Sequence, residues 1–185
     1  MKSLPEYFKS HVALVGEIDF DKLDQVIAAL ERARAEGRRV FVFGNGGSAA
    51  TASHFACDLG KGTIQPNLPR FKIICLNDNV PTLTAYANDV GYDSVFAEPL
   101  ITLSERGDLA ITFSASGNSP NIVAALETAR AHGLTTIGFS GFAGGKLQIL
   151  ADIHVHVASQ SYGHIEDLHL AMCHAICDML KLKHE

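Results

Sequence analysis

The run Phe43-Gly44-Asn45-Gly46-Gly47-Ser48 constrains this chain most, because it ends a β-type apolar run (Val40–Gly44) and opens an alanine-rich helical run (Ser48–Lys61). A glycine-rich turn from strand into helix gathers backbone N–H groups at the positive end of the helix dipole, which suits a phosphate. Gly46 and Gly47 permit positive φ and close approach of a ligand, and Ser48 adds a hydroxyl donor. A second stretch, Ser114-Ala115-Ser116-Gly117-Asn118-Ser119-Pro120, follows another apolar run (Leu109–Phe113) and precedes another helical run. Two such loops imply one anion site. The first does not match G-x-G-x-x-G, lacks the lysine of a P-loop and has no acidic residue placed to hold a ribose, so a small phosphorylated metabolite fits better than a nucleotide.

Around these loops the periodicity alternates. Helical stretches at Leu4–Val15 and Phe20–Glu36 precede strand candidates at Val40–Gly44, Phe71–Leu76, Leu109–Phe113, Thr135–Phe139 and Ile153–Val157. Between them lie helical runs at Ser48–Lys61, Pro81–Asn88, Ser94–Leu103, Pro120–His132 and Lys146–Leu150, and Ile165–Lys183 closes the chain. Such alternation predicts an α/β fold with a mainly parallel five-stranded sheet covered on both faces. With 185 residues, 47% hydrophobic content and no linker or repeat, one domain over 1–185 is expected. Residues 1–36 then form N-terminal helices that pack on the core or in an oligomer interface.

A formal charge of −5 carries no general basic footprint, so no direct nucleic-acid ligand is expected. The start, Met1 to Glu6, has no secretory apolar core, and no apolar run approaches the roughly 20 residues that span a bilayer, so no membrane association and a cytoplasmic location are expected. Cys57, Cys75, Cys173 and Cys177 form no C-x-x-C pair and read as reduced structural thiols.

The chain resembles the SIS (sugar isomerase) domain family, and within it the phosphoheptose isomerases that act on sedoheptulose 7-phosphate. The resemblance rests on Gly44-Asn45-Gly46-Gly47-Ser48, His54 with Asp58, Ala87-Asn88-Asp89, Ser114-Ala115-Ser116-Gly117-Asn118-Ser119, Gly144-Gly145-Lys146, and Glu166 with His174, in an order covering nearly the whole chain. It implies a three-layer α/β/α sandwich, a homotetramer with active sites between subunits, and a divalent metal, usually zinc. By the same resemblance Asn45, Gly46, Gly47 and Ser48, with Ser114, Ala115, Ser116 and Ser119, hold the substrate and its phosphate. Asn88 and Asp89 touch sugar hydroxyls, joined by Glu166. Asp58, Glu166 and His174 are the catalytic candidates, and His54, Asp58, Glu166 and His174 the metal shell.

The chemistry accounts for these residue types. Aldose–ketose isomerisation moves a proton between neighbouring carbons through an enediol and needs a general base and a group that polarises the carbonyl. His54 and Asp58, at i and i+4 of one helix, share a face suited to chelating an ion or working as an acid/base pair, although that spacing alone more often marks a surface pair. Glu166 and His174 stand eight residues apart, about 12 Å along a helix, a demanding span for one ion; His169 is a possible substitute. The chain departs from the family at Asp58, where a glutamate is usual, at Glu166, where a glutamine is usual, and at Ala115, which replaces a hydroxyl residue. Either Glu166 supplies the charge or base that Asp58 no longer delivers, keeping a His/Asp/Glu/His metal shell, or activity is lost or redirected, since a base displaced by about 1 Å costs roughly 10²-fold in rate. The hydroxyl missing at Ala115 implies an altered substrate preference. His154 and His156 share a face of the last strand and read as structural, Lys61 as solvated, and Tyr162-Gly163-His164 as a site wall ahead of the final helix. Two other functions stay open: a non-catalytic SIS protein that binds partners, like the relative that engages the bacterial replication initiator, and a lyase or etherase acting on a phosphosugar.

Overall fold

A computed structural model describes residues 3–183, so Met1, Lys2, His184 and Glu185 lie outside the described residues. Two helices, α1 (Leu4–Val15) and α2 (Phe20–Ala35), lead into a sheet of β1 (Arg39–Gly44), β2 (Lys72–Cys75), β3 (Leu109–Ser114), β4 (Thr135–Ser140) and β5 (Ile153–His156). Between and after the strands come α3 (Gly47–Cys57), α4 (Val80–Asp89), α5 (Ala97–Leu103), α6 (Pro120–Ala131), α7 (Leu147–Leu150) and α8 (Tyr162–Leu182). Every strand pair is parallel, in the order β2-β1-β3-β4-β5.

The strands are buried on both faces, which is why they read as continuous apolar runs rather than as alternating ones. Val40 and Val42 of β1, with Ile111 and Phe113 of β3, face a core built with α2, α3 and α8. Phe41 and Phe43, with Ala110, face a second core built with α5, α6 and Leu147 of α7. The result is the expected three-layer α/β/α sandwich. The winding reverses between β1 and β3, so the carboxyl ends of these two strands open into a crevice, the place where open α/β sheets bind ligands. Both glycine and serine loops leave from those ends.

Three element boundaries differ from the periodicity by three residues or more. The helix expected over Ser48–Lys61 is α-helical only to Cys57, and Asp58–Gly62 continue it as a π-helical turn. The helix expected from Ser94 begins as a 3₁₀ turn at Tyr92–Ser94 before α5. Helix α8 starts at Tyr162, three residues earlier than expected, with Ser161 in extended conformation as its N-cap. Gly163 looks like a boundary signal, but a Cβ there would meet the Tyr7 hydroxyl, so this glycine serves the contact between α1 and α8.

His154 and His156 do share a face: their ring centroids are 5.9 Å apart, His154 Nε2 lies 2.7 Å from Ser140 Oγ, and His156 Nε2 lies 3.2 Å from the Phe142 carbonyl. No helix among the described residues is long and apolar enough to cross a membrane.

Candidate functional site

The two loops converge. Asn45 and Ser48 from the β1–α3 turn, and Ser114, Ala115, Ser116 and Ser119 from the β3–α6 turn, line one cavity of about 120 Å³, closed on its other side by Tyr162 and Glu166 of α8. Gly46, the N-cap of α3, has φ 55° and ψ −122°, a conformation that strains any residue with a Cβ. Gly47 is needed for a different reason: a Cβ there would lie on the Glu166 carboxylate. The glycine pattern alone assigns both residues to phosphate approach, whereas the second makes room for an acidic side chain.

Polar side chains hold the loops in place. Asn45 and Asn121 exchange amide hydrogen bonds at 2.9 Å in each direction, and the Tyr92 hydroxyl donates to Asn45 Oδ1 at 2.9 Å. Asn77, just past β2, accepts from the Gly44 N–H at 3.1 Å and donates to its carbonyl at 2.9 Å, fixing the end of β1. In the second loop Ser114 Oγ accepts from the Gly117 N–H at 3.2 Å and Ser116 Oγ from the Asn118 N–H at 3.3 Å. Asn118 in turn donates to the Ser116 carbonyl and accepts from the Lys146 N–H at 3.0 Å, tying this loop to the one after β4.

Further along α3 and α8 lies a second cluster. Asp58 Oδ2 stands 3.3 Å from His54 Nε2 and 3.5 Å from His174 Nε2, and the two imidazole nitrogens are 3.3 Å apart. One ligand atom from each residue falls within 4.8 Å of the others, close enough to hold one metal ion. Two imidazoles and one carboxylate match the donor set of catalytic zinc, which keeps a fourth position open, and the half-exposed histidines leave such a position. Asp58 reaches the cluster from the first position of the π turn, whose wider helical step redirects the chain after Cys57. Behind it sit Cys173 and Cys177. Burial, with Asp58 contributing, raises the Cys173 thiol and pushes Cys177 up to about 12, so both remain protonated.

Of the four residues expected in a metal shell, His54, Asp58 and His174 come together within this chain. Glu166 does not join His54, Asp58 and His174, because eight residues of α8 hold it at the Gly47 end. His169 does not substitute either: it is fully buried, its Nε2 lies 3.1 Å from the Ser140 carbonyl, and burial lowers it to about 4. Asn88 and Asp89 sit exposed at the end of α4, bonded to each other at 2.7 Å and away from the cavity lining. His164 is buried in α8 rather than preceding it. Sequence motifs do not single out Asn45's partners Asn121 and Tyr92, nor Asn77. Only the proline-led start of α6 hints that Asn121 sits in its first turn, facing the β1 loop.

Comparison with known proteins agrees with this geometry. Residues 6–141 match the family model described as the SIS domain. The chain is 33% identical to a phosphoheptose isomerase of Akkermansia muciniphila over 96% of its length and 91% of the relative's. It is 36% identical to a phosphoheptose isomerase of Paramagnetospirillum magneticum, over 92% and 88%. The structure of a phosphoheptose isomerase from Francisella tularensis superposes with a TM-score of 0.89 at 29% identity, covering 97% of this chain and 96% of that one.

Proposed function

This chain belongs to the SIS domain family, on its phosphoheptose isomerase branch, and we propose that it interconverts sedoheptulose 7-phosphate and a heptose 7-phosphate through an enediol. The observation that carries the reading is the arrangement along α3 and α8. The serine-lined cavity and Glu166 stand at one end of the pair, and His54, Asp58 and His174 at the other. His174 lies eight residues beyond Glu166, about 12 Å along the helix, a separation comparable to an extended seven-carbon chain ending in a phosphate. A sugar phosphorylated on its last carbon and reacting at its first two spans such a site.

In this reading the backbone N–H groups at the start of α3 and the hydroxyls of Ser48, Ser116 and Ser119 bind the phosphate, with the helix dipole adding to their field. Asn45, held in register by Asn121 and Tyr92, orients the chain of hydroxyls. Asp58 turns Oδ2 to both imidazoles and uses the carboxylate's second oxygen to take the migrating proton between C1 and C2. The His174 ring nitrogen turned away from Asp58 donates to the oxygen on which charge develops. His54, Asp58 and His174 would hold a divalent metal, zinc by their donor set, which would supply Lewis-acid polarisation of the carbonyl. Asn88 and Asp89, exposed and remote from the cavity in one chain, act on a neighbouring subunit's substrate in a homotetramer with shared sites. We place the enzyme in the cytoplasm.

The test is ketose–aldose exchange in deuterated water followed by NMR. Sedoheptulose 7-phosphate acquires deuterium at the migrating position with the wild-type protein, and Asp58→Asn lowers that rate by at least about 10²-fold, the usual size of a general-base contribution. Phosphate binding in Asp58→Asn stays within about twofold, since the substitution lies at the far end of the site from the serine cradle. Absence of exchange on five-, six- and seven-carbon sugars would overturn the proposal.

A further inference from the structure

Outside the isomerase site, α2 buries a charge. Arg34 is only 4% exposed, among helix neighbours Leu30 and Ala33 that are as deeply buried and apolar. Its guanidinium stacks over the Phe71 ring, 5.0 Å from the centroid, and its Nη1 has no hydrogen-bond partner. Burying a cation is costly unless it is paired, and a cation–π contact of about 0.5–2 kcal/mol recovers only part of the loss. Nor does an arginine escape by shedding its proton, as a buried lysine does. The carboxylate whose charge acts on it, that of Glu31, is held by Lys183 Nζ at 2.9 Å.

Arg34 also forms the wall of a cavity of about 280 Å³ between α2 and the segment that leads into β2. The other walls are Ala35, Leu68 and Pro69, with Glu31 on the same side as Arg34. None of these residues lines the serine cavity or the space beside Asp58 and His174. The walls sort the candidate ligands. Either anion meets the Arg34 cation beside the Glu31 carboxylate, but only an organic acid offers the apolar walls of Ala35, Leu68 and Pro69 a hydrocarbon body in place of further charged oxygens.

We propose that this cavity is a second ligand site, distinct from the isomerase centre, which takes a small monocarboxylic acid with an apolar body. The Arg34 guanidinium, fixed face-on by Phe71, presents its edge to the carboxylate, and Leu68 and Pro69 cover the apolar part.

Benzoate serves as the probe and the Arg34 Nε–H resonance as the reporter, assigned by its disappearance in Arg34→Lys. Titration of the full-length protein moves that resonance to saturation at one equivalent, while the Asn45 side-chain amide in the serine cavity stays in place. Leu68→Trp fills the cavity without touching the charge, and it weakens benzoate at least about tenfold while circular dichroism is unchanged. Arg34→Lys keeps the charge but not the planar fork, and weakens benzoate about tenfold as well, read from the broadening of the benzoate ring-proton signals because the reporter is lost with the guanidinium. A resonance that does not saturate with benzoate, or that saturates equally in Leu68→Trp, overturns the site. Saturation by inorganic phosphate in place of benzoate overturns the carboxylate assignment.

Discussion

Glu166 puts an acidic group at the wall of the serine-lined cavity, filling the space a side chain at position 47 would need. A carboxylate there repels a phosphate dianion, so neutralising it strengthens anion binding. Glu166→Gln is expected to tighten inorganic phosphate about fivefold, a gain of about 1 kcal/mol, measured as inhibition of the exchange reaction. His169 tests a different residue-scale force. Its folded form stays neutral down to about 4, while the unfolded chain takes up a proton below the ordinary value of 6.5. The unfolded state thus binds more protons between those limits, and stability falls as pH drops from 6.5 towards 4, by about 3 kcal/mol in all. Urea denaturation at about pH 7 and about pH 4.5 shows this loss in the wild type and a smaller one in His169→Asn. At this scale the sequence discloses residue types but not reach. Ser48, Ser116 and Ser119 are legible because their loops follow strands, whereas the separation of Glu166 from the histidine cluster depends on how α8 lies along α3.

Among the elements, the loops act as a connected set. Asn118 joins the β3–α6 turn to the segment after β4 through the Ser116 carbonyl and the Lys146 N–H. Asn118→Ala removes both ties and is expected to weaken inorganic phosphate roughly tenfold, the worth of one or two net hydrogen bonds, with far-ultraviolet dichroism unchanged. Strands are legible to within a residue or two because buried parallel strands leave apolar runs bounded by turns. The π turn at Asp58–Gly62 is not, since its composition continues that of a helix and only the packing of α3 on α8 selects the wider step. The early start of α8 is hidden in the same way, because Gly163 answers to Tyr7 on a helix at the other end of the chain.

For the whole molecule, α1 has no buried residue, and Leu4, Phe8, Val12 and Val15 along one side are 76%, 63%, 70% and 43% exposed. An apolar stripe of this kind marks an interaction surface, and in the proposed assembly another subunit covers it. Replacing Phe8 and Val12 together by glutamate is expected to lower the mass seen by light scattering below that of the wild-type assembly while leaving the helical content intact; an unchanged mass removes α1 from the interface. The layered fold is legible in the alternation of elements, but the bareness of α1 is not, because an amphipathic stripe reads the same whether it meets its own core or a partner's. The parallel course of α3 and α8 carries one more consequence. In the proposed reaction, a sugar moored by its ester at the Ser48 end offers the imidazoles only what its backbone length allows. A pentulose so tethered falls short, and an octulose must buckle. Discrimination among ketoses is then a matter of span rather than of reading each hydroxyl in turn.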